Sequence, residues 1–345
     1  MALSDIVHKA ERTINDYNVR RSAARGWLPQ VTAYKGYGSE ETVHVLGRVL
    51  YGDPAAPENE AWAQRGYRQF FTVQAPGIPV RVTAGEASAT THSTAQGYVD
   101  VQLHGHGLTP GWHDVTIEVL ADPNAGIPTD QPPTTAEVLI VGDDQDAGIV
   151  SDIDDTVLIT WLPRAMTAAW NSWVKRTNTR QPVPGMARFY EKLREDHPNA
   201  PVIYLSTGAW NTFDTLETFL EHNGLPKGPM LLTDWGPTPT GLFRSGKEHK
   251  RVQLRNLFIA FPQIKWILVG DDGQHDPLTY GDAAEEHPDR VRAIAIRNLT
   301  PGEQLLSHGS LTPLVDERDS ALGPLPFIQG ADGNKLFEAY RAREF

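Results

Sequence analysis

The feature that most constrains this chain is Gly148-Ile149-Val150-Ser151-Asp152-Ile153-Asp154-Asp155-Thr156, an apolar run that ends abruptly in three carboxylates and a hydroxyl. A short apolar run bounded by turn signals reads as a buried strand. Carboxylates repel one another and resist burial, so Asp152, Asp154 and Asp155 packed behind a strand call for a cation or a reacting group among them. On an extended segment Asp152 and Asp154 project to one side, so one can attack phosphorus while the other handles a proton. Thr156 would steady the second acid. The structural alternative is an Asp-rich turn that caps the next helix.

Two further strands end in the same way. Val202-Ile203-Tyr204-Leu205 runs into Ser206-Thr207-Gly208 and then into Trp210, Phe213, Leu216, Phe219 and Leu220 at helical spacing, closed by Gly224. Ile264 to Val269 runs into Gly270-Asp271-Asp272-Gly273-Gln274-His275-Asp276. Open parallel sheets bind ligands outside the carboxyl ends of their strands, which would bring Asp152, Ser206 and Asp271 to one crevice. Gly246-Lys247-Glu248-His249-Lys250, lying between these runs, can deliver an ammonium there.

The ordered set D-x-D-x-T, strand-Ser-Thr, Lys and G-D-x-x-x-x-D resembles the haloacid dehalogenase superfamily of phosphotransferases. The longer strings around Asp152, Ser206, His249-Lys250 and Asp271 to Pro277 resemble the catalytic domain of the actin-patch-associated, magnesium-dependent phosphatidate phosphatases, over roughly residues 145 to 300. The resemblance implies Asp152 as the nucleophile of an aspartyl-phosphate and Asp154 as the acid/base. It implies Ser206 and Thr207 as phosphate-binding and Lys250, with Lys247 as the alternative, as the charge-neutralising lysine. Asp271 would join the Asp152 carboxylate and the Asp154 carbonyl around magnesium, with Asp276 supporting the metal or the lysine and Thr156 supporting Asp154. Oxygen-rich coordination with retained waters suits that ion. The chain departs from the pattern at Asp272, commonly a serine, and at Gly208-Ala209, commonly Ser-Pro.

The expected architecture is multidomain: an N-terminal all-β sandwich, then a doubly wound α/β domain of haloacid dehalogenase type with a small insertion. In residue terms these are an amphipathic helix at 1–27, the sandwich at 28–142, and the phosphatase domain at 143–345 with its insertion at 161–200. The sandwich rests on Thr42 to Leu50, Tyr67 to Val73, Val80 to Ala84, Tyr98 to Leu103, Val115 to Leu120 and Thr135 to Val141, β-rich runs separated by Gly, Pro and polar turns. Within the insertion, Trp161, Met166, Trp170 and Trp173 form one helix-spaced stripe, and Met186, Phe189, Tyr190 and Leu193 form another. Such stripes are internal packing or contacts to acyl chains, and packing is the commoner use.

A formal net charge of -12 argues against a nucleic-acid partner. The basic N-terminal helix can meet a membrane surface peripherally or dock on its own protein. Forty per cent hydrophobic content, a mean hydropathy of -0.39, the absence of cysteine and of a secretory-type start suggest a cytoplasmic protein without disulfides. His104, His106 and His113 lack the acidic or cysteine partners of a metal site and read as ordinary hydrogen-bonded histidines. The implied activity is hydrolysis of phosphatidate to diacylglycerol and phosphate, with two alternatives: a phosphatase for a soluble phosphorylated metabolite, or a non-catalytic binding module on the same scaffold. The substrate would be a phospholipid or a small phosphomonoester; nothing identifies a protein partner for the sandwich.

Overall fold

The structure is a computed structural model that describes residues 17–22, 24–54, 73–123, 126–127, 129–159, 181–233, 246–273, 275–308 and 325–343. Two compact units meet in sequence between Asp143 and Asp144. The expected N-terminal helix falls mostly on residues outside the described set, as does the Trp161 to Val174 stripe. No helix among the described residues is long and apolar enough to cross a membrane.

Among the described residues the first unit has eight strands: β1 (Leu28–Ser39), β2 (Thr42–Gly52), β3 (Val73–Gln74), β4 (Pro79–Ala84), β5 (Ala87–His92), β6 (Tyr98–His104), β7 (Gly111–Val119) and β8 (Thr134–Val141). Alternate side chains such as Val43, Val45, Val80, Val82, Val115, Ile117, Val138 and Ile140 fill its core, as period-two patterning dictates. The expected two-sheet sandwich is corrected here: all eight strands belong to one mixed sheet in the order β3-β2-β1-β8-β7-β4-β5, with β6 on β2. The reason lies in the length of β2. One edge pairs with β1 while the other takes β6 along Thr42 to Arg48 and then β3 at Leu50 and Tyr51, so the ladder never divides. A register shift between Tyr34 and Tyr37 bends β1, and β1 pairs in parallel with β8. His104, His106 and His113 make local bonds, to Thr42 Oγ1 (3.0 Å), to the Ser39 carbonyl (3.1 Å) and to the Thr109 carbonyl (2.7 Å).

The second unit is built around a parallel sheet with six strands among the described residues. Its strands are β9 (Ala147–Ser151), β12 (Val202–Ala209), β13 (Met230–Thr233), β14 (Lys265–Asp271), β15 (Val291–Arg297) and β16 (Phe327–Gly330), ordered β13-β12-β9-β14-β15-β16. A small antiparallel pair, β10 (Leu158–Ile159) and β11 (Gln181–Pro182), follows β9. The helices are α1 (Met186–Asp196), α2 (Phe213–His222), α3 (Gly246–Ala260), α4 (Asp276–Glu286), α5 (Pro301–His308) and α6 (Gly333–Arg343). Every residue of β9 is buried, as expected of a central parallel strand covered on both faces. The Met186, Phe189, Tyr190 and Leu193 stripe is buried on α1, where the Phe189 and Tyr340 rings meet edge to face at 6.2 Å. That stripe is core packing.

The chain leaves β9 toward β12 and β13 on one side, then returns to place β14, β15 and β16 on the other. The order reverses between β9 and β14, and Asp152 and Asp271 stand at the carboxyl ends of these two neighbouring strands.

Candidate active site

Asp152 follows the last residue of β9 and still belongs to the ladder, its N–H donating to the Val269 carbonyl at 2.9 Å. Its side chain is 1% exposed. Lys250 reaches it from the inward stripe of α3, which also carries Leu254, Leu257 and Phe258. Lys250 Nζ lies 3.0 Å from Asp152 Oδ1 and 2.5 Å from Asp276 Oδ1. Asp276 opens α4, where an acidic side chain suits the helix N-terminus. Gly270 permits the approach, because a Cβ there would fall 2.5 Å from Asp276 Oδ2.

Asp271 completes the group. Its Oδ1 accepts the Gly273 N–H at 2.8 Å and its Oδ2 accepts the Thr156 hydroxyl at 3.4 Å. Oxygen atoms of Asp152, Asp271 and Asp276 all lie within 4.8 Å of one another. Three buried carboxylates thus face one ammonium, an excess of negative charge that a divalent cation would neutralise. Asp152 Oδ2 and Asp276 Oδ2 are buried and have no hydrogen-bond partner, as befits ligand atoms. The residues therefore fit a hard, oxygen-coordinated metal ion.

The electrostatics express the same strain. Burial pushes Asp152 up to about 7, with Lys250 opposing and Asp276 and Asp154 reinforcing the rise. Asp271 is raised well above the carboxylate range by burial and then by Asp276, Asp152 and Asp155. Burial alone would lower Lys250, but Asp152, Asp276 and Asp271 outweigh it and hold the ammonium charged.

Asp154 points elsewhere. Its Oδ2 accepts the Ser206 hydroxyl at 3.1 Å, and Ser206 Oγ accepts the Gly208 N–H at 2.9 Å. Thr207, half-buried beside Ser206, has its carbonyl held by Thr233 Oγ1 at 2.9 Å. The structure thus gathers Asp152, Lys250, Asp271 and Asp276 into one cluster and sets Asp154 with Ser206 next to it. The side chain of Lys247 lies outside the described residues.

Other participants escaped the sequence reading. Ser151 Oγ donates to the Asp152 carbonyl at 2.6 Å and lies 2.5 Å from Tyr190 Oη, so a core tyrosine braces the backbone beneath Asp152. The apolar stripe on α1 signalled the burial of Tyr190 but not this bond. Asp272, the departure from the common serine, is 2% exposed and accepts the Leu299 N–H at 2.7 Å. It ties the end of β14 to the loop after β15. Arg297 and Glu303 form a buried ion pair at 2.6 Å, foreshadowed by an arginine ending the apolar run Val291 to Ile296 and by the Thr300-Pro301-Gly302-Glu303 helix start.

Residues 147–298 match the family model for the catalytic domain of phosphatidate phosphatase APP1, a stretch that contains this whole cluster. Phosphatidate phosphatase APP1 of Saccharomyces cerevisiae is 28% identical over 151 residues, 44% of this chain and 25% of that protein. An uncharacterised protein of Schizosaccharomyces pombe is 24% identical over 152 residues, again 44% of this chain and 25% of its own length. The matched stretch therefore spans about a quarter of these relatives. Among solved structures, a carbohydrate acetylesterase from Xanthomonas citri aligns over 91% of this chain and 75% of its own with a TM-score of 0.32 and 11% identity, a likeness too slight to bear on fold or function.

Proposed function

We infer that the second unit is a magnesium-dependent phosphomonoesterase of haloacid dehalogenase type acting through an aspartyl-phosphate, and that its substrate is phosphatidate, converted to diacylglycerol and phosphate. The observation that carries this reading is the Asp152–Lys250–Asp276 bridge at the carboxyl ends of β9 and β14, with Asp271 beside it and the phosphatidate phosphatase match over the same residues.

In this reading the Asp152 carboxylate attacks phosphorus, the P–O bond to the leaving group breaks, and Asp154, entering protonated, gives its proton to the departing alkoxide. Asp154 then takes a proton from water as the water oxygen attacks the phosphorus of the acyl phosphate, restoring the Asp152 carboxylate and releasing phosphate. Lys250 offsets charge on nucleophile and phosphoryl oxygens, while Ser206 and Thr207 line the phosphate position. Asp152, Asp271 and Asp276 would hold the metal, with the Asp154 carbonyl as a further oxygen donor. The bound ion supplies charge neutralisation and orientation of the phosphate. Lys250 and Asp276 form one charge-balanced pair in which each fixes the other.

The test is phosphate release from long-chain phosphatidate in mixed micelles, compared with glycerol phosphate, with magnesium and with EDTA. Magnesium-dependent turnover at much higher kcat/KM on phosphatidate is expected, because remote acyl-chain binding helps position the phosphate. Equal efficiency on both substrates would replace the lipid with a soluble phosphomonoester. No release from any phosphomonoester would leave only a binding role for the scaffold.

A further inference from the structure

Arg297 ends β15 and is 3% exposed. Its guanidinium reaches three acceptors: the Asp155 carbonyl from Nη1 at 2.7 Å, Glu303 Oε1 from Nη2 at 2.6 Å, and the Ala331 carbonyl from Nε at 3.3 Å. Glu303 is itself anchored. Its Oε2 accepts the N–H and the hydroxyl of Thr300, each at 2.9 Å, in a capping box that opens α5 with Pro301 in its first turn. The backbone of Arg297 is tied to the neighbouring strand end, since its carbonyl accepts the Asp272 N–H at 3.0 Å.

The carbonyl that Arg297 grips belongs to a residue in an unfavourable conformation. Asp155 stands at φ +59, in the left-handed region, where a Cβ crowds the following carbonyl. It lies between Asp154, whose carboxylate meets Ser206, and Thr156, whose hydroxyl meets Asp271. The turn at Asp155 therefore sets the direction of both side chains. Strained backbone of this kind persists only where the surroundings over-determine it.

We propose that Arg297 is a positioning residue which, anchored by Glu303, holds the left-handed turn at Asp155 and thereby aims the Asp154 carboxylate for proton transfer. The role rests on the phosphomonoesterase reading given above. A planar guanidinium can satisfy all three acceptors at once, and a lysine ammonium cannot do so in that geometry.

The experiment compares wild type, Arg297→Lys, Glu303→Gln and the double variant Arg297→Lys/Asp155→Gly, with Asp155→Gly alone as the control. The readout is kcat/KM for glycerol phosphate or phosphatidate against kcat/KM for p-nitrophenyl phosphate, whose phenolate departs without an acid. Arg297→Lys should lose about tenfold or more on the alkyl substrate, a part of the roughly hundredfold or more that a general acid contributes. It should lose several-fold less on the aryl one. Glu303→Gln should move the ratio in the same direction and covers the case that Arg297→Lys fails to fold. Glycine adopts the turn without a clamp, so the double variant should regain part of the alkyl activity.

Amide exchange gives a reading independent of turnover. The Val157 and Leu158 amides, both bonded to the Ile153 carbonyl, should exchange faster in Arg297→Lys while β9 stays protected. Equal loss on both substrates, unchanged exchange at the turn, or no rescue by glycine would overturn the role. If wild type releases phosphate from neither substrate, the phosphomonoesterase reading fails, and turn exchange still decides whether Arg297 holds the loop.

Discussion

Ser206 Oγ donates to Asp154 Oδ2 across 3.1 Å and at the same time accepts the Gly208 N–H, so the hydroxyl proton is directed at the carboxylate. One oxygen of Asp154 is thus held by β12. If Asp154 is the acid/base, Asp154→Asn keeps an acceptor for Ser206 and preserves the geometry while removing the transferable proton. Turnover on alkyl phosphomonoesters should fall by about a hundredfold or more, with magnesium affinity unchanged in a calorimetric titration. Parallel loss of both would make the Asp154 side chain a metal ligand instead.

If Asp152 is the nucleophile, Asp152→Asn should abolish phosphate release, on the order of a thousandfold or more, because the amide cannot form the acyl phosphate. Burial makes the ionised form of Asp152 costly in the metal-free protein. The melting temperature of metal-free Asp152→Asn should therefore equal or exceed that of wild type. A protein that melts far lower would mean that the lost activity reflects lost structure.

Replacing Lys250 with methionine leaves the buried Asp152 and Asp276 carboxylates without their shared cation. Breaking a buried pair on one side typically costs about 3–5 kcal/mol. Chemical denaturation of metal-free Lys250→Met should show a loss of that size. Added magnesium should recover part of it by binding the same oxygens.

Proton linkage gives the fourth expectation. Asp152 rises from an ordinary value of 3.8 to about 7 in the folded, metal-free chain. A raised folded value means that its contribution to stability is fully present below about pH 4 and is lost as pH climbs through about 7. Asp271 is shifted in the same direction. Metal-free protein should lose stability across that window, and the stabilisation by one fixed magnesium concentration should be larger at pH 8 than at pH 5, because ionised carboxylates bind the ion more tightly. A melting temperature in EDTA that rises over this interval would contradict the buried-carboxylate account.

The parallel sheet was legible because its strands are buried on both faces and read as unbroken apolar runs that stop at polar turns, as in Gly148 to Val150 and Ile264 to Val269. The approach of Asp152 and Asp271 was legible for a related reason, since charges at the ends of such runs have little freedom to go elsewhere, whereas Lys250 sits within α3 and the sequence left it level with Lys247. β1 and β5 were not foreseen. Gln30, Thr32, Lys35, Gly36 and Gly38 dilute the apolar pattern of β1, while Ala87 to His92 carries only small and polar side chains with no buried position. The single curled sheet was hidden because pairing partners are tertiary information, and β2 looks the same whether its second edge is open or takes two strands. Tyr190 and Arg297 went unseen as site residues because their roles depend on hydrogen bonds to Ser151 and Asp155, residues far away in sequence.

The hydrogen bonds that close the site join residues 52, 115 and 142 positions apart, from Ser206 to Asp154, Thr156 to Asp271 and Arg297 to Asp155. Chain closure over such spans is slow, and non-local contacts of this kind form only once most of the sheet is in place. The acids of the β9 loop therefore stay an uncatalytic cluster of like charges until β14 and β15 have docked. On unfolding the sequence reverses: under the phosphomonoesterase reading, phosphate release should vanish before the helical circular dichroism of this unit does, which makes turnover the more sensitive gauge of its integrity.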